Sequence, residues 1–402
     1  MKQTIWVGTA LLALGAGVIG LGQGGLWKTA AAQPRATSTR EIPKFELDPS
    51  WPKMPNGWVL GQVSSTAADE QDNIWILHRP RVVRPNQKTG PPVMEFDQEG
   101  NYVRGWGGMG AGYDWPQSEH SIYVDYKGYV WIGGEGNEDQ ILKFTKDGKF
   151  VMQIGHGGHE KTNADTENFW KPQDTFVYLK TNELFVADGY GNRRIIVFDA
   201  DTGKYKRMWG AFGNVPKDKP DEPDLPLVAS TQQYADPNRT LATGFDPKDP
   251  GPSQFIAIHG VKVSNDGLVY AADRGGKRVQ VFTIDGKFVA QAWIDRWCLA
   301  VGMGCGNGQT TSSVAFSADP AQRFLYVASR SPARIWVYDR KTLQPLDLFG
   351  RPGIGPGEFD VLHHMTTDSK GNLYASESED GRRVQKFVFK GIISVPAKFG
   401  TM

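Results

Sequence analysis

Three of the seven histidines in this 402-residue chain share a spacing suited to metal ligation. His120, His259 and His363 each stand eight residues ahead of a turn glycine: Gly128, Gly267 and Gly371. A neutral imidazole offers one nitrogen lone pair. Three of them with an open fourth position make the donor set of a catalytic zinc site, which polarises an oxygen or lowers the pKa of a bound hydroxyl. A lone histidine more often caps a strand or fills a channel. Three in one register point instead to a shared divalent ion, zinc by donor type, although other divalent transition metals such as copper, iron, cobalt and manganese also suit imidazole.

The shared register comes from a repeat. Similar phrases recur at residues 69–79, 125–155, 179–210, 263–293, 319–350 and 368–391, for example DYKGYVWIGGEGNEDQILKFTKDGKFVMQIG and VSNDGLVYAADRGGKRVQVFTIDGKFVAQAW. Each unit carries a turn signal, an apolar run, a polar turn, a second apolar run and a Gly-centred hairpin, which reads as four short antiparallel strands. Six such units predict an all-β, six-bladed β-propeller. The histidines then open the innermost strands of blades two, four and six, about 120° apart around the axis. Counting back eight residues in blades one and three gives Ser64 and Asp174.

Residues after each second strand look toward the same end of the channel. These include His78 and Arg79, then Asp188, Gly189 and Tyr190, then Asp273 and Arg274. Guanidinium is the natural bidentate partner of carboxylate, so Arg79 and Arg274 suit an anionic substrate. The Tyr190 phenol could serve as acid or base if its pKa were lowered. Asp188 and Asp273 are expected to cap turns, and Arg194, Arg278 and Arg383, which recur at one repeat position, to pin blades. His156 and His159 fall in a loop expected to be solvated. His364, next to His363 on a strand, is expected to point away from the axis and support the site from behind.

Forty-five basic against forty-four acidic residues, with no basic run interleaved with aromatics, argue against a nucleic-acid surface. Residues 1–32 read as a signal peptide, with Lys2, an apolar run from Ile5 to Leu21 and small residues at Ala30–Ala32. Export to the periplasm or beyond follows, with membrane contact only through an uncleaved anchor. Residues 33–55 read as a tether or the start of a strand that closes the ring, with strand-like stretches near Phe45 and Trp58. The propeller follows over 56–402, with an insertion at about 211–258 expected to cover part of one face. Cys298 and Cys305, the only cysteines, are expected to pair in an oxidising compartment.

The repeat phrasing resembles the NHL-repeat family, whose blades carry the same DG-lyvaD and R-vqvf patterns. The histidine segments SEHSIYVDYKG, AIHGVKVSNDG and LHHMTTDSKG, with LHRP, VADGYGNRR and AADRGGKR, resemble the peptidyl-α-hydroxyglycine α-amidating lyase family, a zinc propeller. The resemblance implies zinc on His120, His259 and His363 and catalytic roles for Tyr190, Arg79 and Arg274. It also implies cleavage of a carbinolamide C–N bond to an amide and glyoxylate, from a small or peptide-derived carboxylate substrate. The chain departs from that family at Val361, where the family has Met, at Gly191, where it has Cys, and at His364, where it has the Asp that helps hold a structural calcium. That calcium is therefore in doubt. Two other readings are a metal-dependent lactone or ester hydrolase and a non-catalytic binding platform.

Overall fold

The computed structural model describes residues 39–136, 139–159, 161–218, 250–296, 298 and 308–397. The described strands form six four-stranded antiparallel sheets. Five are built in simple chain order, with inner strands Gln62–Ala68, Ser118–Val124, Pro172–Tyr178, Ile258–Val263 and Thr311–Phe316. The sixth runs outward from Val361–Thr367 to Leu373–Ser378 and Arg383–Pro396. Its outermost strand comes from the other end of the chain, Thr39–Asp48, which pairs antiparallel with Arg383–Pro396 from Thr39 opposite Pro396 to Asp48 opposite Lys386. Trp58 pairs only through an isolated bridge to Lys88.

Alternating apolar side chains on both faces of each sheet leave two surfaces to bury, and a ring of sheets buries both. Six apolar clusters, one between each pair of neighbouring blades, fill the gaps. The cluster between blades one and two joins Trp75 and Leu77 to Ile122, Val130 and Phe144. Another joins Ile74, Ile76 and Phe96 of blade one to Tyr374 and Val384 of blade six, so the ring closes. Burying each such side chain contributes roughly 1.5–3 kcal/mol.

Buried ion pairs tie three blades to the loops that lead into them. Arg194 donates to Asp188 at 2.9 Å and to the carbonyls of Asn163 and Asn168, and Arg278 donates to Asp273 at 3.1 Å and to those of Pro252 and Gln254. Arg383 donates to Glu377 and to the carbonyls of Gly355 and Glu358. Each guanidinium satisfies loop carbonyls that would otherwise be buried without donors.

The signal peptide, residues 33–38 of the tether, residues 219–249 of the insertion and Cys305 lie outside the described residues. Cys298 is buried and disulfide-bonded.

Candidate metal centre

Every inner strand carries a β-bulge near its start, and the bulge aims the histidines. The ladder skips Ser64, His120, Gln173, His259 and Ser312, and in blade six it skips His363 and His364 together. A bulged residue leaves the alternation of the strand and can be turned toward the axis. Gln173, rather than Asp174, holds the place equivalent to Ser64. The reason is a longer turn in blade three, where Asn182 N–H reaches back to the Tyr178 carbonyl while Gly128 N–H reaches only to Asp125.

The ligand nitrogens of His120, His259 and His363 all lie within 4.8 Å of one another. Their ring centroids stand 4.7–4.8 Å apart, close to an equilateral triangle. Each Nδ1 donates to a backbone carbonyl of the next blade: His120 to Gln173 at 2.8 Å, His259 to Ser312 at 2.6 Å and His363 to Ser64 at 2.5 Å. Those bonds assign the proton to Nδ1 and leave the Nε2 lone pair for an ion. The Nε2 atoms of His120 and His259 are buried with no hydrogen-bond partner. Burial holds all three imidazoles neutral, well below their ordinary pKa, with neighbouring histidine or arginine charge acting in the same direction. Three neutral, pre-oriented nitrogens, two of them with orphaned lone pairs, fit a divalent ion.

His364 does not point away. Because it shares the bulge with His363, its ring enters the channel 4.8 Å from that of His259, with Nδ1 3.0 Å from the Ser64 carbonyl and Nε2 3.2 Å from that of His259. It braces two strands behind the centre. Both carbonyls already face a ring nitrogen, which disfavours a calcium at this position. Among the described residues, the three histidines form the one cluster able to hold a metal.

Above the triangle lies a cavity of about 190 Å³, lined among the described residues by Arg79, His120, Glu135, Tyr190, Arg274, Arg330, His363, Ser378 and Glu379. Arg79 is fixed by the Glu119 carbonyl and the Gln62 side chain, both at 3.0 Å. Arg274 stacks on the Tyr190 ring at 4.5 Å. Tyr190 in turn lies 5.5 Å from His120 and 5.6 Å from His259, ring to ring. Burial holds its phenol above its ordinary pKa, an effect that the Arg274 charge opposes only in part. The turn holding Tyr190 needs its glycines. A Cβ on Gly189 would meet the Ile258 carbonyl at 1.6 Å, and one on Gly191 would lie 2.1 Å from the Trp170 indole, so this turn has no room for a cysteine after the tyrosine.

His78 faces away from the cavity. Its Nδ1 accepts from Gly61 N–H, its Nε2 lies 3.0 Å from the Pro91 carbonyl, and burial drives its pKa down to about 4. Asp188 and Asp273 bind backbone N–H groups and their arginines. His156 stands exposed beside Asp114, and the His159 ring meets the Phe169 carbonyl. Glu135, Arg330, Ser378 and Glu379 escape the reading of blades one, three and four alone. They occupy the corresponding ends of the second strands in blades two, five and six.

A family model for the NHL repeat matches residues 255–282. The human NHL repeat-containing protein 3 is 24% identical over 86% of this chain and 84% of its own length. A probable peptidyl-alpha-hydroxyglycine alpha-amidating lyase of Caenorhabditis elegans is 29% identical over 41% of this chain and 36% of its own length. The Drosophila melanogaster peptidyl-alpha-hydroxyglycine alpha-amidating lyase 1 is 23% identical over 85% of this chain and 59% of its own. The chain is thus a six-bladed β-propeller that carries an NHL repeat and is similar, at low identity, to NHL repeat-containing protein 3 and to α-hydroxyglycine amidating lyases.

Proposed function

We propose that this protein is an exported, metal-dependent lyase that cleaves the C–N bond of a small α-hydroxy amide, releasing an amide and a glyoxylate-type acid. The observation that supports the reading is that Tyr190, Arg79 and Arg274 line one cavity with His120 and His363, two of the three neutral, carbonyl-anchored histidines. A zinc ion on the three imidazoles would supply Lewis-acid polarisation of the substrate hydroxyl. Tyr190 stands against two of those imidazoles and, as the phenolate that the Arg274 cation on its ring favours, takes the hydroxyl proton. The carbon–oxygen bond becomes a carbonyl as the carbon–nitrogen pair leaves with nitrogen, which gains a proton to become the amide. Nothing is hydrolysed and no redox partner is required. Guanidinium in the cavity wall holds the substrate carboxylate so that the hydroxyl reaches Tyr190.

Glyoxylate release from α-hydroxyhippurate by protein loaded with one zinc per chain tests this reading. One ion per chain is expected in the wild type and none in His120→Ala. Fully loaded protein that releases no glyoxylate would sink the lyase. A second reading, a propeller without catalysis, is favoured by the length of the match to NHL repeat-containing protein 3. It predicts metal-free protein whose properties do not change in His259→Ala.

A further inference from the structure

Three guanidiniums, not two, reach the cavity, and their surroundings differ. Arg79, Arg274 and Arg330 leave the ends of the second strands in blades one, four and five and line one space with Glu135, Glu379 and Tyr190. Arg79 is already engaged. The Glu119 carbonyl and the Gln62 amide hold it, and among the carboxylates Glu135 does most to offset the burial of its charge. Arg274 is oriented by stacking on Tyr190, and its Nε is buried with no hydrogen-bond partner. The Arg330 backbone is fixed where its N–H donates to the Thr310 carbonyl, and Thr310 N–H donates in turn to the Arg274 carbonyl. The two arginines are thus tied through one residue and directed into one cavity. Burial weakens the Arg330 charge, the Arg274 guanidinium is the next largest influence in the same sense, and Tyr190, Glu379 and Asp360 offset these only in part. Two like charges held together in a half-buried space are costly unless an anion joins them.

We propose that Arg274 and Arg330 together form the seat for the substrate carboxylate, with Arg330 as a specificity-determining residue. Arg79, balanced by Glu135, borders the other side of the cavity. The seat takes a small carboxylate that carries an acylamino group on its α-carbon. This assignment rests on the lyase reading for the identity of the substrate but not for the existence of the anion seat.

The test is equilibrium binding, which requires no turnover. Calorimetry with N-acetylglycine and with its neutral counterpart N-acetylglycinamide is performed on zinc-loaded wild type, Arg330→Gln, Arg330→Lys and Arg79→Gln. Thermal unfolding of each variant verifies the fold. A charged hydrogen-bond pair contributes about 1.5–3 kcal/mol, so Arg330→Gln should bind N-acetylglycine about 10- to 100-fold more weakly. Arg330→Lys should recover part of the loss, and N-acetylglycinamide binding should not change in either variant. Repetition with metal-stripped protein should preserve the Arg330 effect, which separates the seat from carboxylate binding to the ion. Unchanged N-acetylglycine affinity in folded Arg330→Gln, or a loss confined to Arg79→Gln, overturns the proposal. So does wild type that binds neither probe. Arg330-dependent binding without glyoxylate release leaves the seat standing and removes the lyase.

Discussion

Tyr190 is the side chain on which the proposed chemistry most depends, since it alone among the described cavity residues stands between a guanidinium and two of the clustered imidazoles. Tyr190→Phe keeps the ring and removes the proton carrier. The expected outcome is a kcat for glyoxylate release lower by roughly 10²–10⁴, with one zinc per chain retained. A variant with unchanged kcat would remove the phenol from the mechanism. His364 belongs to the layer behind the ion, and His364→Ala should retain zinc at one per chain while weakening its affinity about 10- to 100-fold, as measured by chelator competition. At this scale the clustering of the three histidines was legible because a spacing of eight residues survives in three blades. The direction of His364 was not, because strand alternation fails inside a bulge. Arg330 was visible in principle, as the residue after AS in VASR, had the rule used for VADGY and AADR been carried to the fifth blade.

The inner strand with its bulge is the element that converts a repeat into a site. The turn of blade three is one residue longer without any signature in composition, so the sequence reading placed Asp174 where Gln173 stands. Asp174 instead accepts from Val261 N–H and from Lys262, joining blades three and four below the centre. The second strands carry stability as well as chemistry. His78 is buried at the end of the second strand of blade one with a pKa of about 4, whereas the unfolded chain protonates near 6.5. Between those values the unfolded state binds a proton that the folded state refuses. Stability is therefore unaffected above pH 6.5 and falls as pH drops toward 4, by about 3 kcal/mol in total. His78→Gln should flatten the dependence of Tm on pH in that window without changing zinc content. An equally steep dependence in the variant would assign the effect to other groups. The pinning arginines behave differently, because Arg278 and Asp273 are both fully buried. Arg278→Met leaves a buried carboxylate unpaired and should cost about 3–5 kcal/mol in denaturant unfolding.

At the scale of the molecule, the ring is held shut by nine registered residue pairs between Thr39–Asp48 and Arg383–Pro396. The number of blades was readable from the repeat. Closure was only suggested, since a strand without the blade pattern gives no sign of its partner some 350 positions away. A chain lacking residues 1–48 should lose cooperative unfolding and zinc together, because blade six supplies His363. A circular permutant that links the paired termini and opens in the exposed loop at 107–112 should keep both. Loss of zinc in a folded permutant would mean that the centre depends on more than ring closure.

The three anchoring carbonyls belong to Gln173, Ser312 and Ser64, on the blades that supply no histidine. Half of the polar scaffold around the ion is therefore main chain, and it tolerates any side chain that preserves the bulge. Side chains that fit the buried space at positions 64 and 173 can replace one another while the centre persists, because the support comes from the main chain. Conversely, a one-residue deletion in blade one, three or five, far from any ligand in sequence, would rotate an imidazole out of place and silence the site without altering a single histidine.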